Sequence, residues 1–244
     1  MAYNVKLVFS GDNRIEIYKY QRAIADKAAS TPQGRAKEAT EEHKEVNRAT
    51  TLNRARNSII RLVETNSNVW KSFITLTYSE NMQDIQKVKE HWKYTLKKLH
   101  KDYKELYWLY VIEVQQRGAY HLHLLTSIPV ENTHSFNDAF NSKYWNRGFT
   151  KCIPVSELSG ISKYIAVYLT KEGCNTHGTR IYSYSRNLLK PIEAKFLTHD
   201  SYKDILQQYS DYQIQYSNQY EIVYQDVYSE VYYFDLLRRD SNEV

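Results

Sequence analysis

Two short stretches of this chain carry side chains whose type and spacing could do chemistry. His121-Leu122-His123 sets two imidazoles two residues apart. On a strand alternate residues face the same way, so both rings project together while Leu122 turns with Leu124 to the opposite, apolar side. Paired neutral imidazoles suit a borderline divalent ion. In Tyr164-Ile165-Ala166-Val167-Tyr168-Leu169-Thr170-Lys171, two phenols and an ammonium fall at i, i+4 and i+7, one face of a helix. A phenol is a poor nucleophile while protonated, with an ordinary pKa of about 10, so it needs a metal-polarised electrophile or a nearby cation to react at neutral pH. Lys171 is a candidate cation, and an ion on the histidines would be the other. Each stretch alone has a plainer reading: exposed polar residues on a strand, and tyrosines at the core edge of an amphipathic helix.

The elements around these residues must place them. Tyr107 to Gln115 and Tyr120 to Ser127 are rich in β-branched and aromatic residues, and Gln116-Arg117-Gly118-Ala119 between them makes a hairpin. A register that opposes Glu113 to His123 and Gln115 to His121 adds a carboxylate and an amide to the imidazole face. It also sends Ile112 and Val114 into the core with Leu122. Two imidazoles with one carboxylate leave coordination positions open for a substrate oxygen. Lys71 to Tyr78 alternates as a strand, with Ile74, Leu76 and Tyr78 on one face and Thr75 and Thr77 on the other. Asp84 to His100 is a helix striped by Val88, Trp92, Leu96 and Leu99. A short helix follows over Ser135 to Trp145, a strand over Gly148 to Val155, and a helix over Ser159 to Lys171, ended near Gly173.

Upstream, Val5 to Phe9 and Arg14 to Tyr20 form a hairpin about Ser10-Gly11-Asp12-Asn13. Gly34 to Glu64 reads as an amphipathic helix with Leu52, Ala55, Ile59 and Leu62 inside and Arg48, Arg54, Arg56 and Arg61 around them. Those arginines are either a DNA-phosphate surface or an ordinary solvated face balanced by Glu38, Glu41, Glu42 and Glu45. Hairpins separated by helices, rather than repeated strand-helix-strand units, give an α+β fold: a central antiparallel sheet with packed helices. The expected division is 1–70 packed on the main domain, 71–200 as that domain, and 201–244 as an acidic, tyrosine-rich extension without an assigned role.

The 244 residues, 42% hydrophobic, have room for one or two domains and exclude a large multidomain machine. The net charge of +5 is compatible with a polyanionic partner and does not demand one. Cys152 and Cys174 form no Cys-x-x-Cys pair, so neither a disulfide framework nor a thiolate zinc site is expected. No run of about eighteen apolar residues and no basic-then-apolar start is present, and a soluble, cytoplasmic protein without membrane contact is the expectation. The 23 tyrosines go with abundant Asn, Lys and Ile, as A/T-rich codons would produce, so only tyrosines in special positions are read as chemistry.

Taken in order, these pieces resemble the HUH endonuclease superfamily, and within it the compact rolling-circle replication initiators (Rep proteins) of phages and plasmids. Phe73-Ile74-Thr75-Leu76-Thr77-Tyr78 is similar to the first family motif. Glu113 through Arg117-Gly118 to His121-Leu122-His123 is similar to the second, and Tyr164 to Lys171 to the third. Arg54-Ala55-Arg56, Trp145, Gly148, Arg180 and Tyr182-Ser183-Tyr184-Ser185-Arg186 extend the likeness, which covers about residues 48 to 190.

The resemblance implies a five-stranded antiparallel sheet with the metal site on its central strands and the tyrosine helix beside it. Mg or Mn would be bound by His121, His123 and a third ligand, Glu113, with Gln115 as the substitute. Tyr168, which satisfies both Tyr-x-x-x-Tyr and Tyr-x-x-Lys, would attack the scissile phosphate of a single-stranded origin segment. The products are a 5′-phosphotyrosyl link and a 3′-hydroxyl for a host DNA polymerase, and a second transfer closes the circle. Tyr164 is either a second nucleophile or a packing residue, and Lys171 would stabilise developing charge. Arg54, Arg56, Arg117, Arg180 and Arg186 are the expected DNA contacts. The chain has no Gly-x-x-x-x-Gly-Lys-Ser/Thr loop, so a separate host helicase is an implied partner. A transposase or relaxase would use the same motifs on other DNA, and a non-catalytic DNA-binding regulator would keep the fold without needing the tyrosines.

Overall fold

The computed structural model describes residues 2–25, 41–158, 160–169, 181–224 and 227–239. In chain order the elements are β1 (Ala2–Ser10), β2 (Arg14–Ala25), α1 (Glu41–Thr65), β3 (Ser72–Leu76), α2 (Ile85–Asp102), β4 (Trp108–Val114), β5 (Tyr120–Thr126) and α3 (Thr133–Phe140). Then come β6 (Thr150–Pro154), α4 (Ile161–Val167), β7 (Tyr182–Tyr184), β8 (Ile192–Phe196), α5 (Tyr202–Gln207), β9 (Tyr212–Tyr224) and β10 (Val227–Arg238). The fold is α+β, with two antiparallel five-stranded sheets. Contacts group the chain into two compact units, Glu45–Leu189 and Met1–Lys44 with Lys190–Val244.

In the Glu45–Leu189 unit the strand order is β6-β3-β5-β4-β7, so β5 is central. One face is apolar because the alternation is: Ile74, Leu76, Ile112, Leu122 and Leu124 are all fully buried. The amphipathic α2 supplies Val88, Trp92 and Leu99 to the same core, with Trp92 edge-on to Trp108 and Tyr110 at 5.3 and 5.4 Å. Each such large side chain taken fully out of water contributes about 1.5–3 kcal/mol. Asp84 starts α2 by accepting from the Gln86 and Lys87 amides, and His100 and Lys101 face its negative end. After α3 the helix widens into one π-helical turn, Asn141–Trp145, stopped by Asn146 in the left-handed region (φ 47°). That turn buries Trp145, whose Nε1 donates to Thr77 O at 2.7 Å.

The opposite face carries Phe73, Thr75, Glu113, His121 and His123, and α4 lies over it: Tyr164 packs edge-on to Phe73 at 5.1 Å. The Ser162 hydroxyl, buried on α4, bonds the Glu64 carboxylate and ties α4 to α1. The helix is shorter than the expected Ser159 to Lys171. It begins after Gly160 in the left-handed region and ends at Val167, and Tyr168 and Leu169 form a closing turn on the Ile165 and Ala166 carbonyls.

The β4–β5 hairpin departs from the expected register. Glu113 pairs with His121 and Val111 with His123, where Glu113 opposite His123 and Gln115 opposite His121 were expected. The cause is the turn: Gly118, at φ 82°, lets its N–H donate to Gln115 O, and Gln115 N–H donates to Ala119 O, closing a tighter loop. A slip of two residues preserves the side-chain parity, so the same side chains still share the face.

In the other unit the order is β8-β1-β2-β10-β9. Val5, Leu7, Ile15, Ile17, Phe234 and Leu236 face Ile205 of α5. On the reverse face the buried Arg14 guanidinium grips the Asp235 carboxylate through Nε at 2.7 Å and Nη2 at 2.9 Å. The expected division at 70 and 200 therefore differs from the observed one: the first hairpin and the last strands form one sheet, β2 pairing with β10 from Tyr20↔Val231 to Arg14↔Leu237. Among the described residues no helix is long and apolar enough to cross a membrane.

Candidate active site

The central position of β5 makes the site. His121 and His123 are 8% and 4% exposed, flanked by β3 on one side and β4 on the other. Each ring is held by neighbours on the adjacent strands. Glu113 Oε2 lies 2.6 Å from His123 Nε2, a diagonal contact across the β4–β5 ladder, and Thr75 Oγ1 lies 3.3 Å from His123 Nδ1. With the carboxylate accepting from Nε2–H, a neutral ring takes the threonine proton at Nδ1, which fixes the tautomer. His121 Nδ1 sits 3.2 Å from Gln115 Nε2, and Gln115 Oε1 accepts from Arg117 Nε at 3.2 Å.

Above this row stand the two phenols. The Tyr168 ring stacks on His123 with centroids 3.5 Å apart and planes at 19°, and it lies 6.0 Å from Phe73. Tyr164 is edge-on to Tyr168 at 5.7 Å, and the Tyr168 hydroxyl donates to the Tyr164 oxygen at 3.1 Å. Burial pushes the Tyr168 pKa well above its ordinary value, and the hydrogen bond to Tyr164, the Tyr164 charge and the Glu113 charge push the same way. The resting phenol is thus held protonated, and a positive centre is required to release the proton.

The structure brings His121, His123, Glu113, Tyr164 and Tyr168 together, with Gln115 and Arg117 reached through His121. Lys171 and Arg180 lie outside the described residues. Arg54 is exposed and Arg56 half-buried on α1, Arg186 is exposed after β7, and none of the three hydrogen-bonds or stacks with the histidine and tyrosine group. Two members of the site, Thr75 and Phe73, had no role assigned from the sequence. Thr75 stands opposite His123 in the β3–β5 register, a pairing that strand periodicity alone does not show.

Among the described residues no three or more His, Cys, Asp or Glu side chains are gathered about one point. Glu113 is turned onto His123 and Gln115 onto His121. The donor chemistry itself fits a divalent ion: two imidazoles and a carboxylate on one face, where the proton shared by Glu113 and His123 is what an ion would displace. Gln115 fits better as the group that orients His121 than as a ligand.

An antiparallel sheet with an imidazole pair and a carboxylate on its central strands, faced by a tyrosine pair, is the class of site this unit presents. Residues 71–173, from β3 past the end of α4, match the model of a replication-associated protein family, that of the ORF2 and gene-2 replication proteins. The matched segment contains every residue of the histidine and tyrosine group. No curated protein and no solved structure matches the chain significantly.

Proposed function

We propose that the Glu45–Leu189 unit nicks and rejoins single-stranded DNA at a replication origin, as the HUH initiators of rolling-circle replication do. The observation that carries this reading is the stack of Tyr168 on His123 beside the Glu113 carboxylate. Transposases and relaxases share such chemistry, and the match to replication-associated proteins favours replication over those uses.

His121, His123 and Glu113 would hold the ion, Mg or Mn, which when bound polarises a non-bridging phosphate oxygen and offsets charge on the phenolate. The chain's own residues do the rest. Stacking on His123 and Phe73 orients the Tyr168 ring, and the Tyr164 oxygen is the first acceptor on the path of the Tyr168 proton. The Tyr168 oxygen bonds to phosphorus as the phosphorus–O3′ bond breaks, and O3′ leaves as a hydroxyl carrying, in net terms, the proton the phenol lost. Joining is the reverse: a 3′-hydroxyl attacks the tyrosyl phosphate and Tyr168 regains its proton. The released 3′-hydroxyl suits a host polymerase, and a chain without a nucleotide-binding loop relies on a separate helicase.

The test is incubation with a labelled single strand from the protein's own replicon and Mn, resolved on a denaturing gel. A protein-linked 5′ end is expected, lost with chelator and with His121→Ala plus His123→Ala. A free 5′ end would instead mark a hydrolase, and cleavage persisting in excess chelator would remove the metal from the account.

A further inference from the structure

The site face continues past the histidines onto the edge strand β6, where two side chains have no part in anything described above. Lys151 stands opposite Thr75, and Thr75 opposite His123. The ladder runs on beyond both strands: Thr77 N–H donates to Phe149 O at 2.9 Å, and Phe149 N–H donates to the Thr77 hydroxyl at 3.1 Å. Phe149 is therefore opposite Thr77, and strand alternation puts Phe149, Lys151, Thr75, Thr77, His121 and His123 on one face. At an interstrand spacing of about 4.8 Å, Lys151 lies two strands, roughly 10 Å of backbone, from His123.

Phe149 is 73% exposed, more than any other large apolar side chain among the described residues. Its backbone is pinned, because at Gly148 a Cβ would stand 2.4 Å from Thr77 O, so the chain there runs closer to β3 than any other residue type permits. Lys151 is exposed and forms no hydrogen bond or ion pair among the described residues. A rigidly placed, solvent-facing ring next to an unengaged ammonium suits a ligand with a flat apolar face and an adjoining negative charge. An unpaired nucleotide has both, whereas in a duplex the base faces are closed by stacking.

We infer that Phe149 and Lys151 form a subsite for single-stranded DNA flanking the candidate active site, the ring stacking on a base and the ammonium neutralising a phosphate. The inference rests on the proposed nicking function, since it treats the strand held here as the one whose phosphate meets Tyr168.

The probe is a fluorescein-labelled oligothymidylate of about twenty nucleotides, bound without metal to Tyr168→Phe protein so that no covalent product interferes. Phe149→Ala is expected to weaken binding about tenfold, while Phe149→Trp keeps the affinity and has its indole fluorescence quenched on binding. Lys151→Ala should lower the slope of log Kd against log salt by about 0.7, the single-strand value for one phosphate, and Lys151→Arg should restore it. Both positions are exposed, so unchanged melting temperatures confirm that the variants are folded. Affinity and salt slope indifferent to Phe149→Ala and Lys151→Ala, or no binding of the oligothymidylate by the parent, overturn the subsite. The two readings separate cleanly: binding through Phe149 and Lys151 with no covalent product from wild-type protein removes the nicking assignment, and a covalent product with indifferent variants removes only the subsite.

Discussion

The Tyr168 ring lies flat on the His123 imidazole at 3.5 Å, while its hydroxyl donates to Tyr164 at 3.1 Å. The stack sets where the phenol oxygen points, and the hydrogen bond together with burial keeps the proton on it. The two tyrosines are therefore unequal: one touches the imidazole, and the other accepts its proton. Tyr168→Phe is expected to abolish the covalent DNA complex while leaving strand binding within about twofold. Tyr164→Phe removes the acceptor and one cause of the raised pKa, and the complex should persist within about tenfold of wild type. Covalent complex surviving in the double Phe variant on a denaturing gel would falsify the assignment.

Thr75 acts through His123. Its hydroxyl at Nδ1 leaves Nε2 directed at Glu113, where an ion would bind. Outer partners of this kind typically contribute a factor of about 10–100 in metal affinity. Thr75→Val, similar in shape but without the hydroxyl, should weaken Mn binding by about that factor, and Thr75→Ser should retain it. Free Mn measured by electron paramagnetic resonance reports this without any DNA. Equal affinities for the Val and Ser variants would mean the hydroxyl does not position the ring.

Gly148 tests the packing that joins the β3 end to β6. An alanine Cβ would meet Thr77 O at 2.4 Å and Ser79 N at 2.6 Å, both backbone atoms with no side-chain freedom to retreat. Gly148→Ala should cost about 2–3 kcal/mol, read as a lower urea midpoint at unchanged slope. A midpoint within error of wild type would show that the ladder there is loose.

Which parts of this arrangement the sequence could reveal follows from the range of the physics. The His121-Leu122-His123 parity and the Tyr164/Tyr168 spacing are local periodicities, and both appear as read. The hairpin register slipped by two because it depends on a single left-handed glycine, Gly118, whose turn type the residues around it do not decide. The joining of the first hairpin to the last strands was not legible, since Arg14 and Asp235 stand 221 positions apart and neither neighbourhood signals the other. The tail hid its strands for a further reason. β9 is an edge strand exposed along nearly its whole length, so its Tyr and Gln residues show no buried alternation to read.

The end of α2 offers a pH test remote from the site. Tyr144, in the π-helical turn, donates its hydroxyl to Asp102 Oδ2 at 2.7 Å, and Lys143 Nζ lies 3.0 Å from the same oxygen. The Tyr144 hydrogen bond, and after it that from Lys143, holds the Asp102 carboxyl below its ordinary value. A carboxylate whose folded pKa is depressed adds stability above its unfolded pKa of about 3.9 and loses it as pH falls through the folded value. In Tyr144→Phe the leading cause is gone, so the Asp102 titration followed by carbon-13 NMR should move up toward the ordinary value. The urea midpoint of the variant should lie below that of wild type at neutral pH, and the gap should narrow in acid as Asp102 protonates in both proteins. A gap that stays constant from neutral pH to below the carboxylate range would show that Tyr144 stabilises through ring packing alone, and not through its bond to the ionised Asp102.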